Sequence, residues 1–281
     1  MRLATLADRA VLLVEGGAVD IATASNGRFG TDPMAVLDDW AEFKAWAEKT
    51  DLPAATPFRT IDLTAPVPRP RQVFAVALNY RPHAAEAGHV APEIPLLFTK
   101  FPSCIAGPHA EVELPDGNVD WELEMVAVIG RACHRVPADE AWEAVAGLTV
   151  GQDLSERRLQ LTGKPAQFSL GKSYPRFGPT GPALVTPDEL ADRDDVAIEC
   201  LLNGERVQAA RTSEMIFSVP QLIEFISAVC PLYPGDLIFT GTPSGVGNRR
   251  VPQRFLGPDD VLVSRIEGLG ELRQTFRSKR K

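Results

Sequence analysis

The chain has 281 residues, 44% of them hydrophobic and 23% charged, enough to build one large domain or a large one with a small companion. Its net charge of −8 argues against a general binder of nucleic acid or anionic membrane, which needs a basic surface. An anionic small molecule is not excluded, because a few local Arg and Lys can dominate one pocket.

Cys104, Cys133, Cys200 and Cys230 form no CxxC pair, which argues against a zinc ribbon or a thioredoxin-like site. They read as small buried hydrophobes in a reducing compartment. The first ten residues lack the apolar core of a signal peptide, and no run is long enough to span a bilayer. A cytoplasmic location is expected.

In chain order, Val11 to Val14 and Ala18 to Ala22 read as short strands around a turn at Glu15, Gly16 and Gly17. A helix is expected over 33–48, with Asp32 as N-cap and Pro33 at its first position. Val36, Leu37, Trp40, Phe43 and Trp46 recur there at helical spacing and read as core. The proline-rich stretch 51–70 reads as an extended linker. It sets a boundary between a small N-terminal domain with its linker (1–66) and a larger catalytic domain (67–281). Strands follow at Gln72 to Leu78, Leu148 to Leu154, Ala197 to Leu202, Leu237 to Thr240 and Val261 to Ile266, with one helix near Ala138 to Ala146. The pattern predicts a β-rich α+β domain rather than a doubly wound sheet. The basic tail, Arg277 to Lys281, reads as frayed.

The stretch 120–130 carries the strongest chemical signal. Met125 to Ile129 is an apolar run closed by Gly130 and reads as a buried strand. Alternation places Asp120, Glu122 and Glu124 on one face. Acids stacked beside an apolar run call for a positive partner, and oxygen ligands suit Mg²⁺, Mn²⁺ or Ca²⁺. An edge strand with solvated acids is the alternative. Asp153, at the end of the next strand, is either a third ligand or a cap for the segment that follows.

Pro82 is suited to start a short helix that places His83 and Glu86 on one face at i, i+3. A carboxylate beside a histidine builds a water-activating base, unless the two are simply a solvated pair. His89, His109 and His134 have no such partner and read as structural or surface residues. Arg157, Gln160 and Lys172 follow Asp153 closely and are candidates to clamp a small acid's carboxylate. The glycine-rich stretch Thr240 to Gly247 is not a phosphate loop; it is either an oxyanion nest or a tight structural turn.

Several pieces occur in one order: Asn79 to Gly88, Phe98 to Lys100, Asp120 to Gly130, Gly151 to Gln160, Gly171 to Ser173, Asn203 to Glu205, Pro234 to Asp236 and Thr240 to Gly247. Together they resemble the fumarylacetoacetate hydrolase family over roughly 70–275. The resemblance implies a β-roll (mixed β-sandwich) fold, a homodimer, and a Mg²⁺ or Mn²⁺ site on Glu122, Glu124 and Asp153. It implies a lid at His83 and Glu86 that activates water, and contacts from Arg157, Gln160, Lys172 and Thr242 to an α-keto acid. Tyr80 is assigned to substrate binding with them, and Lys172 also to catalysis, stabilising an enolate.

The implied reaction is hydrolysis of a small 2,4-diketo acid, of acylpyruvate or fumarylpyruvate type, to pyruvate and a carboxylic acid, as in aromatic catabolism. An oxaloacetate-type decarboxylase and a 2-hydroxymuconate-type isomerase or decarboxylase share the same chemistry. A catalytically silent, metal-stabilised binding protein is the reading from another class. Two residues depart from the family pattern: Arg158 stands where Asp is usual, and Pro82 where a polar residue is common.

Overall fold

The computed structural model describes residues 1–279. At the N-terminus, Arg9–Val14 and Gly17–Asp20 form a hairpin with Val14 opposite Gly17. Gly16 sits at φ +87°, a backbone region that a residue with a Cβ rarely takes. The hairpin adds to a large sheet that has eleven strands among the described residues. Its main path runs Gly17–Asp20, Arg9–Val14, Arg2–Leu6, Gly178–Val185, Val145–Gln152, Leu123–Ile129, Leu237–Phe239, Val73–Ala77, Leu96–Thr99. A second sheet has five: Glu205–Arg211, Ala197–Leu202, Val261–Ile266, Gly270–Ser278, Glu111–Leu114.

The acid strand Leu123–Ile129 lies in the middle of the large sheet, and every residue in it is buried. Met125, Ala127 and Ile129 face the second sheet and pack with Ile198, Cys200 and Leu262. Val126 and Val128 face the other way, against Val36, Leu37, Trp40 and Phe43. Burial on both faces is why this strand reads as a continuous apolar run. The architecture is a β-rich, mixed β-sandwich with helices on its outer side, as expected.

The region before residue 66 shares this sheet, with Leu3 pairing Leu184 and Thr5 pairing Thr64. The expected helix 33–48 is two helices, Pro33–Asp38 and Trp40–Ala47, parted at Asp39 (φ −104°, ψ 30°). The break sets Trp40 against Gly130 at the end of the acid strand. Asp32 does cap, accepting from Met34 N–H at 3.0 Å. Ala138–Ala144 is a 3₁₀ helix rather than an α-helix. The amphipathic helix Val219–Ser227 was missed, although Ser218 and Gln221 form a capping box around Pro220. Arg277 and Ser278 are not frayed: they close the strand Gly270–Ser278, and Arg277 pairs Glu111 at 3.1 Å and Glu113 at 2.7 Å. The rest of the expected tail, 280–281, lies outside the described residues. All four cysteines are free, and no described helix is long and apolar enough to cross a membrane.

Gly151, opposite Glu124, is a tight point beside the acid strand. A Cβ there would meet Val126 Cγ2 at 2.5 Å and Phe239 Cε1 at 2.9 Å. Gly151→Ala is therefore expected to cost about 1–3 kcal/mol by overpacking. Urea unfolding should show a lower midpoint with an unchanged slope.

Candidate active site

The acids are placed by a break in strand geometry. Val119–Asp120 pairs with Ser155–Glu156, the chain leaves the β ladder at Trp121 and Glu122, and it re-enters at Leu123. The break separates Asp120 from the other two acids. Asp120 accepts from Arg157 Nε at 2.5 Å and from Asn248 N–H at 2.6 Å. Glu122, Glu124 and Asp153 instead converge, each offering a carboxylate oxygen within 4.8 Å of the others. Asp153 N–H donates to the Glu122 carbonyl at 2.8 Å, which ties the ends of the two strands together. Asp153 does not act as a cap. Glu156 does, accepting from Leu159 N–H at 2.8 Å.

Burial opposes ionisation of Glu122, but the ammonium of Lys172 and the guanidinium of Arg157, each 2.8 Å away, bring it down to about 2. Glu124 goes the other way. Burial, reinforced by the charges of Asp153 and Glu122, pushes it well above the usual carboxylate range. A divalent cation relieves this like-charge penalty, and three buried oxygen donors are the set a hard cation takes. The residues present fit such an ion.

His83 and Glu86 form a second unit. The helix Arg81–Glu86 carries Pro82 in its first turn, and His83 Nδ1 lies 2.9 Å from Glu86 Oε2. The other carboxylate oxygen, Oε1, accepts from Gly245 N–H at 2.9 Å. Glu86 is thus held at both oxygens. With Nδ1–H donating to it, the ring keeps Nε2 as its basic atom.

Arg157 Nη1 donates to Gln160 Oε1 at 2.9 Å, and its Nη2 is buried without a partner. Lys172 Nζ lies 2.6 Å from Asp153. Burial alone would lower Lys172, yet Asp153 and Glu122 together raise it, so it stays an ammonium. His83, Glu122, Arg157, Gln160, Lys172 and Thr242 all line one cavity of about 430 Å³. Leu96, Leu97, Phe98, Leu161 and Phe168 supply its apolar wall, and Lys172 Nζ sits 5.1 Å from the Phe98 ring centre.

The family model for the fumarylacetoacetate (FAA) hydrolase C-terminal region matches residues 72–277. The chain belongs to the fumarylacetoacetate hydrolase family. A mitochondrial oxaloacetate tautomerase of Bos taurus is 42% identical over 223 residues, 79% of this chain and 71% of that protein. The crystal structure of an HpcE protein from Mycobacterium smegmatis matches with a TM-score of 0.96 at 52% identity, covering 100% of both chains. Maleylpyruvate hydrolase from Sphingobium sp. SYK-6, solved with manganese(II) and pyruvate, matches with a TM-score of 0.82 at 26% identity, again covering 100% of both.

In this fumarylacetoacetate hydrolase family chain, one expected site residue lies elsewhere. Tyr80 is fully buried and does not line the cavity; its hydroxyl has no partner, and burial beside Glu124 raises it. Thr242 reaches the cavity, but its hydroxyl already donates to the Leu123 carbonyl at 2.8 Å. The turn that carries it is more than a tight bend, since Gly241 N–H holds Glu124 Oε2 at 2.8 Å. His89 joins the cavity lining. The two departures, Pro82 and Arg158, are both exposed.

Sequence reasoning missed Lys100, which is fully buried and donates to Asp153 Oδ1 at 2.7 Å. Its signal was its place in the stretch Phe98 to Lys100, one of the pieces of the family resemblance, which gave it no role. It also missed Gln152 and Gln208, which no local pattern marks.

Proposed function

We propose that this protein is a divalent-metal-dependent hydrolase that cleaves a C–C bond in small 2,4-diketo acids of acylpyruvate or fumarylpyruvate type. The products are pyruvate and a carboxylic acid. The observation that carries this reading is the His83–Glu86 dyad, with Glu86 held by Gly245 and His83 lining the same cavity as Glu122. A dyad of this kind is built to activate water. In this reading Glu122, Glu124 and Asp153 hold Mg²⁺ or Mn²⁺, in keeping with the manganese and pyruvate named for the maleylpyruvate hydrolase neighbour.

When bound, such a cation supplies Lewis acidity to the 2-keto acid end of the substrate. Arg157 and Gln160 orient the substrate carboxylate, with the unpartnered Nη2 of Arg157 as a donor to spare. His83 Nε2 takes a proton from water as the oxygen attacks the 4-carbonyl. Collapse of the adduct breaks the C3–C4 bond, and its electron pair leaves as the enolate of pyruvate. The ammonium of Lys172 stabilises that charge, and the proton held by His83 returns to C3. A homodimer belongs to the same reading and rests on the family resemblance.

A second reading is favoured by the Bos taurus relative: proton transfer on oxaloacetate with no attack by water. Ultraviolet turnover of acetylpyruvate and oxaloacetate separates the two, first in EDTA and then with Mg²⁺ or Mn²⁺. Metal-restored loss of acetylpyruvate is the expected result. Enol–keto exchange of oxaloacetate alone would replace hydrolysis by the second reading. No turnover of either would reject acylpyruvate cleavage and the second reading alike, and leave fumarylpyruvate as the substrate to test.

A further inference from the structure

Two buried glutamines close the break beside the acid strand. There the backbone N–H groups of Glu122 and Leu123 are met by side chains rather than by a neighbouring strand. Glu122 N–H donates to Gln152 Oε1 at 3.0 Å, and Leu123 N–H donates to Gln208 Oε1 at 3.1 Å. Both glutamines are anchored at their other end. Gln152 Nε2 donates to Ser264 Oγ at 2.8 Å and to Cys200 Sγ at 3.6 Å, both in the second sheet. Gln208 Nε2 donates to Thr242 Oγ1 at 2.9 Å and to the Pro243 carbonyl at 2.8 Å. Every hydrogen of both amides is used. The backbone N–H groups require the amide oxygen to face them, which fixes each amide's orientation.

Leu123 separates the two glutamates. It is gripped at its N–H by Gln208 and at its carbonyl by Thr242, whose neighbour Gly241 holds Glu124. Asp153 directly follows Gln152, and its own N–H returns to the Glu122 carbonyl. Glu122 and Glu124 share a face only while the backbone between them stays extended. The ladder reaches back only to Leu123, with the Asp153 N–H bond to the Glu122 carbonyl beyond it, and the two amides complete the hold on the N–H groups of Glu122 and Leu123.

We propose that Gln152 and Gln208 are positioning residues that set Glu122 and Glu124 for a divalent cation, an inference that rests on the metal-site reading above. The spacing of the acids then depends on the contact between the two sheets and on the turn 240–245. That turn also holds Glu86, so the same joint aligns the acid cluster with the dyad.

The test is Mn²⁺ affinity of the full chain by titration calorimetry, without substrate. Gln152→Met and Gln208→Met keep volume and remove the amide. Each is expected to raise the Mn²⁺ Kd about 10–100-fold, as loss of a partner one layer behind the ligands does. Gln274→Met is the control. Gln274 is equally buried and bonds the Pro108 carbonyl at 2.9 Å, on a strand that gives no residue to the acid cluster. It should leave the Kd unchanged, whatever its effect on the metal-free melting temperature.

Wild-type affinity in both site variants, or an equal loss in Gln274→Met, would overturn the proposal. If Gln152→Met does not fold, Ser264→Ala removes only the far anchor of Gln152; a raised Kd supports the role and an unchanged one overturns it. If the wild-type chain itself binds no Mn²⁺, the metal-site reading fails first, an outcome distinct from a variant effect.

Discussion

Glu122→Ala and Asp153→Ala are each expected to abolish turnover and Mn²⁺-dependent stabilisation together. Each acid has two jobs in the structure. Glu122 neutralises Arg157 and Lys172, and Asp153 neutralises Lys172 and Lys100. Removing one partner from a buried charge pair typically costs about 3–5 kcal/mol, so both variants should also melt lower without metal. The metal effect is read separately, as the rise in melting temperature on adding Mn²⁺. A ligand at roughly 100 times its Kd adds about 2.7 kcal/mol to the wild type. That increment should vanish in both variants. Glu122→Gln, which keeps the shape, should recover part of the metal-free stability but not turnover. Full activity in either alanine variant would remove these acids from the site.

His83→Ala is expected to lower kcat for acetylpyruvate about 10²–10⁴-fold while Mn²⁺ still binds with wild-type affinity. His83 faces the cavity, but the three acids converge without it. Its bond to Glu86, and that residue's bond to Gly245, orient the ring as the proposed base role requires. Glu86→Gln should lower kcat less, because an amide oxygen can still accept from Gly245 while the histidine loses its charged partner. Stopped-flow kinetics beside a metal titration checks all of this. Loss of Mn²⁺ binding in His83→Ala would make the histidine a ligand. Oxaloacetate tautomerisation that survives while cleavage is lost would locate the defect in water activation.

Local chemistry was legible wherever it depends on short spacing. Alternation on a strand brings Glu122 and Glu124 to one site, and one turn of helix brings Glu86 to His83. Asp32 and Pro33 start a helix because a side-chain acceptor and a fixed φ act on adjacent residues. The apolar run Met125 to Ile129 announced a strand buried on both faces.

Three features had no such marker. Asp120 shares a parity with Glu122 and Glu124, yet the break at Trp121 and Glu122 hands it to Arg157, and parity cannot show where a ladder stops. Tyr80 belongs to a stretch whose next helix holds the dyad, yet it is turned into the core. Lys100, Gln152 and Gln208 meet their partners across separations of 53, 30 and 85 residues, where no periodicity operates.

The acids, the dyad and the β-rich class are legible in the chain, because each follows from neighbours within a few residues. Which acids converge, which cations neutralise them and which amides bond the backbone between them follow from the closed fold alone. Those pairings form when two sheets and a distant turn close on the same break, and closure of that kind leaves no periodic trace in the chain.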